Sequence, residues 1–336
     1  MKAIVIREFG PPEVMRLEPD FPDPVPGPGE LVIAVHAVSV NRTLDLAVRA
    51  GTYVARPQLP HIPGVDPSGI VTAVGPGVTN RRVGEHVVTL PWRTRPVGPL
   101  DALGIQHLGG YAQYVKAPAK ATVPIPAGLD FATATVVARH APQAFNLLRD
   151  RAQLKPGEWV LVMGAAGGLG SAGVQVARLL GARVIGAAGS AARAAAALDL
   201  GADHAVDYSQ QDLTAEVLRI TDGRGVNVVF ENIADPVLFP KAFHAIARHG
   251  RLVTSGSHGG GTVALDVQRL YLYQISVLGS IGFTEADVSF ALQAAAQGRL
   301  RVLIDRILPL AQAPAAHHLV AERAGVGKIV LDPTLD

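Results

Sequence analysis

A short apolar run ending at Met163 feeds a glycine cluster, Gly164-Ala165-Ala166-Gly167-Gly168-Leu169-Gly170, and residues 171–180 then carry helical apolar spacing. That order suits a dinucleotide pyrophosphate. Glycines let the backbone turn tightly and approach phosphates, and the unpaired N–H groups of a helix start face the negative charge. The pattern is a variant, with Ala165 in place of the usual first glycine and Gly167 and Gly170 as second and third. Ala165, Ala166, Gly167, Gly168, Leu169 and Gly170 are the candidate phosphate contacts. A second strand is expected at 183–187, and its end reads Gly186-Ala187-Ala188-Gly189-Ser190, where an NAD-preferring site carries an acid. Without that carboxylate nothing grips the adenosine 2′-hydroxyl or repels a 2′-phosphate. Ser190 can cap the next helix, Arg193 brings a guanidinium suited to phosphate, and Tyr208 can close the same pocket. These residues predict NADPH rather than NADH.

The elements that must hold this motif alternate. Strand-like runs at 159–163, 183–187, 226–230, 251–255 and 275–279 are separated by helical segments, which predicts a parallel sheet wound on both faces. Before Pro126 the chain reads differently, with short strands at 31–40, 69–74, 85–90 and 111–115 between Gly- and Pro-rich turns, as in a small irregular barrel. From Arg323 the chain returns to β. The expected fold is therefore an α/β Rossmann domain, a doubly wound parallel sheet, inserted into a β-barrel domain. Its expected parts are residues 1–125, residues 126–268, and 269–336 as the last sheet strand and the return.

Composition narrows the function. Thirty basic and twenty-eight acidic residues give a net charge of +2 with no long single-sign run, so no nucleic-acid partner is expected. There is no cysteine, which excludes disulfides, thiolate catalysis and Cys-ligated zinc. No apolar run reaches the ~18–20 residues of a membrane span, and the early charges rule out a signal peptide. A cytoplasmic location is expected.

Several segments together resemble the zinc-free, quinone oxidoreductase (zeta-crystallin-like) branch of the medium-chain dehydrogenase/reductase family. They are Ser39-Val40-Asn41-Arg42-Thr43-Leu44-Asp45, His61-Ile62-Pro63-Gly64-Val65-Asp66, Gly109-Gly110-Tyr111-Ala112, the glycine cluster, Gly250-Arg251-Leu252-Val253 and Gly327-Lys328-Ile329-Val330. The resemblance implies a GroES-like catalytic domain, a six-stranded Rossmann domain and homodimers formed through the strand at 275–279. It implies that Asn41, Tyr53 and Lys328 approach the nicotinamide half of the cofactor. Asn232, Ser255-Gly256-Ser257 and Ser280-Ile281-Gly282 would line it. Two departures stand out. Zinc-using members carry a cysteine near Asn41 and Gly-His-Glu where this chain has Gly64-Val65-Asp66, so no metal is expected. Gln143 occupies a helix position where relatives carry threonine.

Hydride transfer without a Lewis acid favours an acceptor that is already electrophilic, a quinone or conjugated carbonyl. Tyr53, His140 or water could donate a hydrogen bond to its oxygen. His61 and Asp66 read as structural. The leading expectation is NADPH-dependent quinone reduction. An enone or enoyl-thioester reductase is the rival, a non-catalytic coenzyme- or RNA-binding crystallin-like protein is a reading of another class, and an alcohol dehydrogenase with unusual ligands is a third.

Overall fold

The computed structural model describes residues 1–90, 102–322 and 325–335. Arg323, where the C-terminal β segment was expected to begin, lies outside the described residues. The chain divides into two compact units. One comprises Met1–Arg139, Val288–Arg299 and Ile304–Asp336, the other His140–Asp287 and Leu300–Leu303.

The second unit holds a six-stranded sheet in which every pairing is parallel. Its order is His204–Asp207, Arg183–Ala188, Trp159–Met163, Val226–Glu231, Ile246–Thr254, Ser276–Gly279. Trp159–Met163 is buried throughout and Val226–Glu231 nearly so, as strands covered on both faces must be. Strand order reverses between these two, so their C-terminal ends, at Gly164 and Asn232, open the crevice where such sheets bind ligands. His204–Asp207 carries only one fully buried residue, Val206, and its four-residue length with polar ends hides it from a periodicity search. It is a sheet strand nonetheless, pairing Ala205 with Gly186.

In the first unit a hairpin, Ala3–Ile6 with Met15–Glu18, accompanies a seven-stranded sheet. Along its main path run Ile304–Pro309, Lys328–Asp332, Glu30–Ser39, Ser68–Val74, His86–Thr89 and Thr122–Pro124, while Tyr114–Pro118 also pairs with Glu30–Ser39. Ile4, Ile6, Leu31, Ile33, Val71, Tyr111 and Leu331 form its core. The antiparallel register sets Val330 against Ser39 and Leu331 against Val38, which brings Lys328 opposite Asn41.

The units part after Arg139, inside the helix Phe131–Phe145, whereas the change of sequence character falls at 125/126. The early turns of this helix are tied into the first unit. Thr135 Oγ1 donates to Ser68 Oγ (2.7 Å) and lies 3.2 Å from the Asp66 carbonyl oxygen, and Ser68 Oγ donates to the Phe131 carbonyl (2.9 Å). Among the described residues, no helix is long and apolar enough to cross a membrane.

Candidate active site

In the second unit the glycine cluster forms the turn into the helix Gly168–Leu179. Gly164 has φ +61°, and its carbonyl accepts the Gly167 N–H at 2.8 Å. A Cβ on Gly170 would lie 2.1 Å from that carbonyl oxygen, so only glycine lets the helix approach the strand end. A Cβ on Gly168 would lie 2.5 Å from His140 Nε2, which places the His140 imidazole directly on the cluster. Gly167 is the N-cap and no side chain caps the helix, leaving its first N–H groups for a ligand.

A second group gathers at the end of Arg183–Ala188. Ser190 caps the helix Ala191–Asp199, its hydroxyl accepting the Arg193 N–H at 3.4 Å, which sets Arg193 in the first turn. Tyr208 packs over Gly189, where a Cβ would come within 2.9 Å of the ring. Residues 186–190 carry no carboxylate themselves, and Asp207, which registers against Ala188 from the neighbouring strand, accepts from the Ser209 N–H and hydroxyl.

Asn232 joins the two central strand ends by donating from Nδ2 to the Met163 carbonyl at 2.6 Å. Gly256 must be glycine to pass the Asn232 carbonyl, 2.3 Å from a would-be Cβ. Beneath them Glu231, fully buried, accepts the N–H groups of Ile233 and Ala234 at 2.8 and 2.9 Å, and burial holds its carboxyl above the ordinary range. Ser255 is half-buried and Ser257 exposed. Ser280 Oγ donates to Asn146 at 2.5 Å, and the Gly282 N–H donates to Gln143 Oε1 at 2.9 Å. Ile281 between them is 68% exposed. Gln143, the residue that stands where relatives carry threonine, has its Nε2 buried with no hydrogen-bond partner.

In the first unit Asn41 and Lys328 meet directly. Lys328 Nζ donates to the Val40 carbonyl and to Asn41 Oδ1, both at 2.8 Å. Asn41 Nδ2 donates to Asp66 Oδ2 (3.0 Å), which also accepts from Ser39 Oγ (2.6 Å), while Asp66 Oδ1 takes the Ser39 N–H (2.9 Å). Behind Asn41 stands Asp45, fully buried, whose Oδ2 accepts the Asn41 N–H at 2.7 Å. Burial, then the charge of Asp66, pushes the Asp45 carboxyl up to about 7. Burial pulls the Lys328 ammonium down to about 8, although Asp66 and Asp45 oppose the shift. Tyr53 packs against residues that adjoin this group in sequence, Leu44 beside Asp45 and Val65 beside Asp66. It packs on Leu44, Val48, Val65, Ala102 and Ile105, and burial raises its phenol. His61 pairs through its backbone with Ile6.

Asp45 and its neighbours Tyr111, His317 and Arg49 were not picked out as site residues from sequence. The one available signal was the i, i+4 placement of Asp45 and Arg49 on the short helix Asp45–Ala50.

The donors around Asn41 do not fit zinc. The positions that zinc-using relatives fill with cysteine and Gly-His-Glu hold Asn41 and Val65-Asp66, and the Asp66 oxygens already accept Ser39 and Asn41. Among the described residues no group of three or more His, Cys, Asp or Glu side chains could hold a metal ion. The second unit does fit a dinucleotide, with an uncapped helix start on a glycine turn at the reversal of strand order.

Residues 27–127 match the alcohol dehydrogenase GroES-like domain and residues 168–297 the zinc-binding dehydrogenase family. Quinone oxidoreductase of Homo sapiens is 30% identical over 98% of this chain and 97% of that protein. The chain belongs to the medium-chain dehydrogenase/reductase family. Another family member, 2-haloacrylate reductase of a Burkholderia species, is 30% identical over 99% of both chains. Among solved members, an NAD-dependent alcohol dehydrogenase is 34% identical with TM-score 0.90, covering 99% of each chain. The quinone oxidoreductase of Escherichia coli in complex with NADPH is 27% identical with TM-score 0.85, covering 99% of this chain and all of that one. As a medium-chain dehydrogenase/reductase the chain is an oxidoreductase with a GroES-like part and a Rossmann sheet.

Proposed function

We propose that this chain is an NADPH-dependent oxidoreductase that reduces quinones without a bound metal. The observation that carries the coenzyme assignment is the strand end at Ala188. There Gly189, the Ser190 cap, Arg193 and Tyr208 stand where an NAD site needs an acid. On this reading the 2′-phosphate is held by Ser190 and Arg193 beside Tyr208. Backbone N–H groups of Ala165 to Gly170 hold the pyrophosphate, and Asn232, Ser255, Gly256, Ser257, Ser280, Ile281 and Gly282 line the rest. Asn41, Tyr53 and Lys328 serve the reacting end, and His140 steadies the glycine turn it rests on.

When bound, the coenzyme supplies the hydride. The protein's contribution is placement, which can lower a barrier by ~7–11 kcal/mol through orientation. A quinone or conjugated carbonyl needs no Lewis acid, which agrees with the Asp66 oxygens already accepting Ser39 and Asn41. The likeness to 2-haloacrylate reductase favours a second reading, reduction of an activated carbon–carbon double bond. The edge strand Ser276–Gly279 leaves Val277 41% exposed and, among the described residues, one side of the sheet unpaired, which supports a homodimer. A cytoplasmic enzyme fits this chemistry.

The test is NADPH oxidation by the purified chain against quinones, enals and enoyl thioesters, with NADH as control. A hydroquinone product supports the first reading and a saturated carbon–carbon bond the second. Oxidation of neither coenzyme with any acceptor rejects both.

A further inference from the structure

In the second unit the central strand Val226–Glu231 ends in a turn that its own residues disfavour. Ala234 has φ +53°, a left-handed conformation that a residue with a Cβ resists. The Glu231 side chain holds the chain there. Its Oε1 accepts the Ile233 N–H at 2.8 Å and the Ala234 N–H at 2.9 Å, so two successive backbone donors converge on one oxygen. Its Oε2 accepts the hydroxyl of Thr254 at 3.4 Å, from the residue registered against Glu231 on the next strand. Glu231 is 1% exposed, so whatever it does for a ligand it does through its neighbours.

Those neighbours form one side of the crevice at the reversal of strand order. Asn232 Nδ2 reaches across to the Met163 carbonyl, the end of the adjoining central strand. Asn232 Oδ1 and Ile233 Cδ1 lie 3.4 and 3.5 Å from where a Cβ on Gly164 would stand, so the turn packs directly on the glycine turn. On its other flank the Ile233 carbonyl accepts the Gly259 N–H at 2.7 Å, and Gly256 passes close to the Asn232 carbonyl. The loop that follows Ile246–Thr254 is thereby tied to the same turn. All of these residues belong to one compact unit.

We propose that Glu231 is a positioning residue for the coenzyme, holding Asn232 and Ile233 against the glycine turn before the coenzyme arrives. The proposal rests on the coenzyme reading above, which puts the pyrophosphate on that glycine turn. A wall that is already ordered adds nothing to the cost of binding, whereas a loose one must be ordered as the ligand enters. Ordering the backbone of even one residue changes a dissociation constant about 5- to 30-fold. The 2′-phosphate group of residues, Ser190, Arg193 and Tyr208, stands at the end of a different strand, Arg183–Ala188. Loss of Glu231 therefore acts on the part that NADPH and NADH share, and it carries a signature that loss of Arg193 lacks.

The test makes two measurements on the full chain. Fluorescence titration gives dissociation constants for NADPH and NADH, and mass spectrometry follows amide hydrogen exchange over residues 232–235. Glu231→Ala should speed that exchange and weaken both coenzymes by the same factor, about 10-fold. Glu231→Gln should recover most of both losses, because its Oε1 still accepts the two N–H groups and its amide can donate to the Thr254 oxygen. Unchanged exchange in Glu231→Ala overturns the proposal. So does faster exchange with both coenzymes bound as tightly as by wild type, which would leave Glu231 a purely structural role, and so does a loss confined to NADPH. If Glu231→Ala does not fold, the wild-type chain carries the test. Exchange over the turn should already be slow in the free chain and change little at saturating NADPH. Exchange that stays fast until NADPH is added would show that the coenzyme orders the turn, and would overturn the proposal. A wild-type chain that binds neither coenzyme rejects the coenzyme reading itself and takes this proposal with it.

Discussion

Replacing Gly170 by alanine would put a methyl group 2.1 Å from the Gly164 carbonyl oxygen and 2.7 Å from its carbon. That carbonyl is held by the Gly167 N–H, so it cannot retreat without opening the turn that delivers the helix start. Forcing a methyl into packed space costs ~1–3 kcal/mol, and glycine-to-alanine in a helix returns at most ~1 kcal/mol. Because the clash is with backbone, the upper part of that range applies, and a net loss of about 2 kcal/mol is expected. Two neighbours calibrate the argument. A Cβ on Gly167 would meet the same oxygen at 3.2 Å from an ordinary φ of −78°, so Gly167→Ala should cost under ~1 kcal/mol. On Gly173 the contacts are Phe230 ring atoms at 3.1–3.3 Å, which can shift, and the helical gain should roughly offset them. Urea unfolding midpoints at unchanged m resolve the three, and coenzyme titration should show Gly170→Ala also binding most weakly. A Gly170→Ala protein as stable as wild type, or more stable than Gly167→Ala, would refute the close-packing account of this turn.

Arg193→Ala should weaken NADPH binding about 10- to 150-fold, the ~1.5–3 kcal/mol of a charged hydrogen bond, and leave NADH unchanged; equal losses in fluorescence titration would exclude the 2′-phosphate role. Arg251 donates to the carbonyls of Ala152, Gln153 and Asn227 and pairs with Glu158 at 2.8 and 2.9 Å. Arg251→Ala should cost ~2–4 kcal/mol by urea unfolding, somewhat less than a fully buried pair because solvent reaches the site. Burial and then the charge of Arg49 push the His317 imidazole from 6.5 down to about 3, so between those values the unfolded chain binds a proton that the folded chain refuses. The neutral imidazole's contribution is intact above pH 6.5 and is lost as pH falls toward 3. His317→Gln, though less stable at pH 7.5, should lose less on going to pH 4.5. Parallel losses in both proteins would count against a buried neutral histidine.

The glycine turn of the second unit, where we propose the coenzyme binds, was legible because its parts are contiguous. Trp159–Met163 and the glycines that follow form one strand–turn–helix run, and the missing acid after Ala188 can be read by inspection. His204–Asp207 was missed as a strand because one buried residue in four gives no period, and the Ala3–Ile6 hairpin because its partner strand buries so little. The group around Asn41 and Asp45 was hidden for another reason. Its members come from residues 41 to 328, and only the antiparallel register of Lys328–Asp332 on Glu30–Ser39 brings the last of them to Asn41. Gln143 was noticed as an unusual residue, but its bare Nε2 appears only once Gly282 has claimed Oε1.

Isothermal titration of the purified chain with NADPH and, separately, with NADH tests the central claim most directly. Binding of NADPH with a clear margin over NADH, erased by Arg193→Ala, is the predicted result. Equal affinity for both coenzymes, tighter NADH, or no heat from either would contradict the account.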